Sequence, residues 1–260
     1  VNTDAEIRIR VQQQFGRVAR AYQTSPTFAT GIDLELLLRL AAVRPGERAL
    51  DVATGAGHTA KLLAQHGAHV IALDLTPSML HVARETLREA DSEGSCLFLA
   101  GDATALPLRS ASMALVTCRI APHHFPSPHH FLAEVARVLQ PGGRFILVDN
   151  LGPDDPALAH ALDELERQRD PSHVHSLSRR AWLDGLRTVG LVPDVVMEVQ
   201  RWHNWKEWTE RSGMTSDQRA ELEAWFLSQP ALLAYLGAHV EEGSILGFRD
   251  DKLIVRAWRR

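Results

Sequence analysis

Leu50-Asp51-Val52-Ala53-Thr54-Gly55-Ala56-Gly57-His58-Thr59 decides how the rest of this 260-residue chain is read. An apolar, strand-like run feeds into Thr-Gly-Ala-Gly, and a helix-like segment follows. Glycine opens backbone angles closed to other residues and lacks the Cβ that would keep a ligand at a distance. The helix start beyond it offers unpaired N–H groups. Gly55-Ala56-Gly57-His58-Thr59-Ala60 also satisfies the Gly-x-Gly-x-x-Gly/Ala pattern of dinucleotide sites. The loop alone therefore indicates a nucleotide-like cofactor and no more.

Outward from this loop, apolar runs alternate with helical periodicity. Strands are expected at Arg48–Ala53, His69–Leu73, Cys96–Ala100, Ala114–Cys118, Arg144–Asp149 and Asp194–Gln200, with a last one at Lys252–Trp258. Helices are expected at Thr59–His66, Pro77–Ala90, Pro128–Leu139 and Arg179–Val189. Such alternation implies βαβ crossovers and an α/β fold with a parallel sheet covered on both faces. Pro77 suits the first turn of a helix, where its missing N–H costs nothing. Pro141-Gly142-Gly143 stops one helix and turns the chain toward the next strand. The reading is one domain over 1–260: a helical cover at 1–42, a core at 43–200, a helical insert at 201–247, and a last strand with its tail at 248–260.

Asp74 closes the second strand, 19 positions after Gly55. A carboxylate there can accept hydrogen bonds from both hydroxyls of an adenosine ribose, a device that NAD enzymes share. The third strand separates the two possibilities. It ends in Ala100-Gly101-Asp102-Ala103, and Val138-Leu139-Gln140-Pro141-Gly142-Gly143 precedes the fifth. With Asp51 and the glycine loop, these motifs in this order resemble the class I S-adenosylmethionine (SAM)-dependent methyltransferases. The likeness is to the small-molecule branch that includes ubiquinone/menaquinone-type enzymes, and it covers roughly residues 45–150. Asp170-Pro171-Ser172-His173 further resembles a group of uncharacterised bacterial methyltransferases.

The resemblance implies a Rossmann-like seven-stranded sheet whose last strand runs antiparallel. It implies SAM as cofactor and S-adenosylhomocysteine as product. Ala53, Thr54, Gly55 and Gly57 would line the methionine moiety, and Arg119 would floor it. Asp74 would hold the ribose, with Leu75 and Met79 near the adenosine. Asp102 would bond the adenine amine and the Ala103 N–H a ring nitrogen. Tyr22, on the amino-terminal cover, could close over the cofactor.

A methyl acceptor with an acidic proton benefits from a base, and histidine suits that work. Arg119-Ile120-Ala121-Pro122-His123-His124-Phe125 follows the fourth strand, which makes His124 and His123 the catalytic candidates. The quinone-type pattern places Arg-Asn soon after this strand, so its absence here points away from a quinone. His129 and His130 would extend a metal reading, but Pro122, Pro126 and Pro128 prevent a continuous helix with an i, i+4 ligand pair, and no metal is expected. Arg169 and His173 could orient an anionic or hydroxylated acceptor, with an ordinary helix exit as the alternative. Trp202, Trp205 and Trp208 recur every third residue, as on one side of a helix. Trp205 could wall an acceptor site, although core packing explains such a row more often.

Bulk composition is that of an ordinary globular chain, 45% hydrophobic and 23% charged. A formal charge of −4, from 28 basic and 32 acidic side chains, speaks against a nucleic-acid partner, which needs a basic face. Two cysteines, Cys96 and Cys118, each inside an apolar run, suit a reducing compartment. With no long apolar span and no leader pattern, a cytoplasmic protein is expected, acting on a small-molecule acceptor away from membranes. Two further readings use the same loop: an NAD-linked oxidoreductase, and a SAM-binding protein without methyl transfer. The oligomeric state is not written in the sequence.

Overall fold

A computed structural model describes residues 3–88 and 95–260. The chain opens with α1 (Asp4–Gln23), α2 (Pro26–Ala29) and α3 (Ile32–Ala41). Thr3 starts α1 through a capping box, its hydroxyl accepting from the Glu6 N–H while its own N–H donates to the Glu6 carboxylate. Then β1 (Arg48–Val52), α4 (His58–Gln65), β2 (His69–Asp74), α5 (Pro77–Arg88) and β3 (Cys96–Ala100) follow in alternation. The last two positions expected in α5, 89 and 90, lie outside the described residues. Next come β4 (Met113–Arg119), a 3-10 turn at Pro122–His124, α6 (Pro128–Val138), β5 (Leu139–Asn150), α7 (Pro156–Arg169), α8 (Arg179–Thr188) and β6 (Leu191–Asn204). The chain ends in α9 (Trp205–Arg211), α10 (Ser216–Leu227), α11 (Pro230–Tyr235), β7 (His239–Glu241) and β8 (Ser244–Arg259).

The sheet order is β3-β2-β1-β4-β5-β8-β6, with β7 paired to the start of β8. From β3 to β5 all neighbours are parallel, and β8 runs antiparallel to both β5 and β6. The seven strands expected are therefore joined, among the described residues, by β7. Apolar side chains alternate between the faces, as the pleat demands. Leu50, Val52, Phe145, Leu147, Leu253 and Val255 pack on one face with Phe131, Leu132 and Trp182 of α6 and α8. Ala49, Ile146, Val148 and Ile254 pack on the other with Leu37, Leu63 and Leu87 of α3, α4 and α5.

The segment expected as a helical insert is corrected at both ends. Residues 201–204 continue β6, and 239–247 form β7 and the start of β8. Trp202 is consequently a strand residue, 48% exposed, while Trp205 and Trp208 begin a helix. Asn204 makes the switch, its side-chain oxygen capping the Glu207 N–H at 3.1 Å. Trp205, Trp208, Phe226 and Phe248 then form a third core with α7, α10 and α11. No helix among the described residues is long and apolar enough to cross a membrane.

Candidate active site

The parallel strands end together, and the loops after β1, β2 and β3 face one cleft with an empty volume of 1010 Å³, including the part open to solvent. Thr54, Asp74 and Asp102, one from each strand end, all line it. Two tips carry left-handed backbone at residues with side chains, Ala53 at φ 53° and Ile120 at φ 54°. Such strain, notable for β-branched Ile120, concentrates at functional sites.

Each carboxylate of the cleft is anchored by its own neighbourhood. Asp51 accepts hydroxyl hydrogen bonds from Thr54 at 2.6 Å and Thr117 at 2.7 Å, and burial pushes its pKa up to about 6. Asp74 accepts the backbone N–H groups of Gly55 and Thr76, both at 2.8 Å, and burial likewise raises it to about 6. Asp102 accepts from the Thr104 N–H and hydroxyl at 2.8 Å and from Arg8 Nε at 2.5 Å. These bonds outweigh partial burial and hold its carboxyl below the usual range. Arg8 sits on α1, which lies across the mouth of the cleft. Ile7, Arg8, Val11, Phe15 and Tyr22 of that helix form its roof, and Gln12 donates to the Leu75 carbonyl at 3.0 Å.

A second, smaller chamber of 440 Å³ empty volume adjoins the cleft and shares Phe15, Tyr22, Phe28, Ile120 and His124 with it. His124 stands at the junction. Ser172 Oγ donates its single hydrogen to Asp170 Oδ1 at 2.5 Å and lies 3.1 Å from His124 Nδ1. That leaves Ser172 to accept from His124, so the network assigns the proton to Nδ1 and a lone pair to Nε2. Burial, followed by the neighbouring His123, pushes His124 down to about 3. His123 also lines the chamber, with Nδ1 2.6 Å from Asp149 Oδ1. Burial drives His123 down and Asp149 up, so this contact is a hydrogen bond between groups that resist charging.

Residues 50–147 match a family model described as a methyltransferase domain. The chain is 35% identical over 211 residues to the uncharacterised methyltransferase YcgJ of Bacillus subtilis, covering 80% of this chain and 82% of that one. The chain belongs to the SAM-dependent methyltransferase family. The crystal structure of YcgJ superposes with a TM-score of 0.83 at 30% identity, over 88% of this methyltransferase and 98% of that chain. A demethylmenaquinone methyltransferase from Clavibacter sepedonicus is 33% identical over 177 residues, 66% of this chain and 71% of its own. The oxidoreductase reading of the glycine loop gives way to this membership.

Of the cofactor candidates, Tyr22, Ala53, Thr54, Gly55, Asp74, Leu75, Met79, Asp102, Ala103 and Arg119 of the methyltransferase all line the cleft. Gly57 does not. It caps α4 at φ 84°, and a Cβ there would meet the Ala83 Cβ at 2.9 Å, so its bareness lets α4 and α5 pack. Arg119 does more than floor the cleft: its Nε binds Asp33 at 2.6 Å, and Asp33 also takes Arg201 at 2.6 Å.

The acceptor candidates divide. Arg169 reaches the chamber wall, held by Glu166 at 2.8 Å and donating to Ser212 Oγ at 2.6 Å. His173 instead turns away to Asp163 at 2.8 Å, where it shares the carboxylate with His175. Trp205 packs into the third core, stacked on Phe226 at 5.8 Å, and walls neither cavity. For Asp170 and Ser172 the sequence offers a family likeness but no role, and for Arg211 neither. Asp170 and Ser172 form a tight Asx-type turn, Ser172 N–H to Asp170 at 2.9 Å, and that Asp-Pro-Ser spacing was a usable signal. Arg211 lines the chamber from the end of α9 and had no local signal.

Proposed function

We propose that the cleft binds SAM, that a small organic acceptor occupies the adjoining chamber, and that His124 takes the acceptor's proton. The observation that carries this reading is the meeting of three strand ends, at Thr54, Asp74 and Asp102, around one cleft. The residues present fit the cofactor. A Cβ on Gly55 would meet nothing within 4 Å, so the loop leaves open space where the methionine end would lie. Asp74, braced from behind by two backbone N–H groups, is set to accept the ribose hydroxyls. Asp102 and the Ala103 N–H suit the adenine edge, with Leu75 and Met79 flanking it and Ala53, Thr54 and Arg119 at the methionine end. When bound, SAM supplies a methyl group already activated by its sulfonium.

The protein's share is alignment, exclusion of water and proton removal. Phe15, Tyr22 and Phe28 line both the cleft and the chamber and give the acceptor's path an aromatic surface that disfavours water. Ser172 and Asp170 hold the His124 ring so that Nε2 faces the acceptor as a neutral base. His123, braced on Asp149, contributes a second polar edge in the chamber.

Titration with S-adenosylhomocysteine tests the foundation: a folded protein that fails to bind it ends this reading. Asp74→Ala should weaken that binding by about 1–3 kcal/mol through the lost charge-assisted hydrogen bonds. With an acceptor found by screening transfer from methyl-labelled SAM, His124→Ala should slow turnover by about 10²–10⁴-fold and leave cofactor affinity intact. Unchanged turnover would remove His124 from the chemistry.

A further inference from the structure

The chamber beside the cleft is strongly cationic for a space with many buried side chains in its wall. Its wall carries Arg169, Arg201, Arg211 and Lys252 against two carboxylates, Glu166 and Asp250. A buried cation is expensive unless a partner of opposite charge accompanies it. Three of the four have one. Arg169 is held by Glu166, Lys252 by Asp250, and Arg201 by Asp33.

Arg211 differs. Among the described residues it forms no ion pair, its guanidinium lies over the Phe28 ring at 5.4 Å, and its buried Nε donates to nothing. Burial, followed by the nearby Arg169 and Arg201, lowers its pKa, so the surroundings disfavour the charge it carries. Stacking on Phe28 supplies part of the compensation a guanidinium needs, but it leaves the Nε–H unmatched.

We propose that the chamber recognises the anionic group of the methyl acceptor, a carboxylate or phosphate, and that Arg211 is the residue that receives it. This rests on the reading of the chamber as the acceptor site. The missing counter-charge then arrives with the ligand. A guanidinium fork matches two oxygens of either anion, which the point charge of lysine does not. Phe15, Tyr22 and Phe28 offer an aromatic wall for the body of the acceptor, and His124, with its ring 4.9 Å from that of Phe15, lines both the chamber and the cleft. The acceptor so described is a compact organic acid that carries its nucleophilic atom toward His124 and its anion toward α9. A quinone has no group for this site.

The test uses the full chain saturated with S-adenosylhomocysteine, titrated with benzoate, phenyl phosphate and the neutral isostere benzamide. At least one of the two anions should bind about tenfold more tightly than benzamide, the order of one charge-assisted pair. The stronger of them names the anion. Arg211→Gln should bring that anion to the benzamide level, Arg211→Lys should restore part of the difference, and S-adenosylhomocysteine affinity should hold in both. Equal binding of all three probes, binding of none, or an anion preference that survives Arg211→Gln overturns the proposal. Failure of the wild-type protein to bind S-adenosylhomocysteine shows before any probe is added, and it sinks the cofactor reading instead.

Discussion

The cleft over β1, β2 and β3 and the chamber over β4, β5, β8 and β6 sit on one sheet edge but are assembled differently. In the cleft, each carboxylate is fixed chiefly by what stands beside it in a loop or on the next strand, and Arg8 of α1 reaches Asp102 from farther off. Asp74 takes the Thr76 and Gly55 N–H groups, Asp51 takes Thr54 and Thr117, and Asp102 takes Thr104. In the chamber, local pairs such as Arg169 with Glu166 and Lys252 with Asp250 are joined by partners from across the chain. Asp33, 1% exposed on α3, joins Arg201 of the chamber wall on β6 to Arg119 of the cleft at the end of β4. His124 depends on Ser172, 48 positions away. The cleft is thus set mostly by short motifs, and the chamber adds long-range pairs to local ones.

The largest test of this contrast is Asp33→Ala. It leaves two guanidiniums without their shared carboxylate, and removing one partner of a buried pair costs about 3–5 kcal/mol. Denaturant unfolding should record that loss. A cost below 1 kcal/mol would show that the chamber does not depend on its distant charge pairs. Gly57→Ala should come next, at about 1–3 kcal/mol, because the new methyl both strains a left-handed residue and meets Ala83. Gly55→Ala is its control: it shares the left-handed strain at φ 54° but meets nothing within 4 Å, so it should cost less stability and more S-adenosylhomocysteine affinity. Reversal of that order would exchange the roles of the two glycines.

The smallest effect expected is one of pH. Asp74, raised by burial to about 6, protonates as pH falls through that value and then accepts fewer hydrogen bonds. Cofactor affinity should decline from pH 7 to pH 5. Asp51 titrates in the same range, so the decisive measurement is the difference from Asp74→Ala, in which this part of the slope should vanish.

The legible parts follow the same division. Strand ends, the glycine loop, Asp74 and Asp102 could be placed because period-two apolar runs locate strand tips and ligands gather there. Gly57 does not line the cleft and serves helix packing, since a glycine motif does not say which face of the turn is bare. Trp202 was misplaced because a spacing of three also fits a strand that hands over to a helix, as Asn204 makes it do. His173 and Ser172 lie side by side, and only their long-range bonds, Ser172 with His124 and His173 with Asp163 of α7, decide that Ser172 faces the site. Arg211 carries no local mark, since its significance lies in the carboxylate it lacks.

One contact of the roof bears on timing. Both oxygens of Asp102 are already engaged, one with Thr104 and the other with Arg8 of α1. An adenine amine arriving there has to displace the arginine or share its carboxylate, so we expect that loading waits for the amino-terminal helix to let go. Salt should then quicken exchange by weakening a partly exposed ion pair. Stopped-flow capture of S-adenosylhomocysteine that stays equally fast at every salt concentration would mean that α1 is not the gatekeeper.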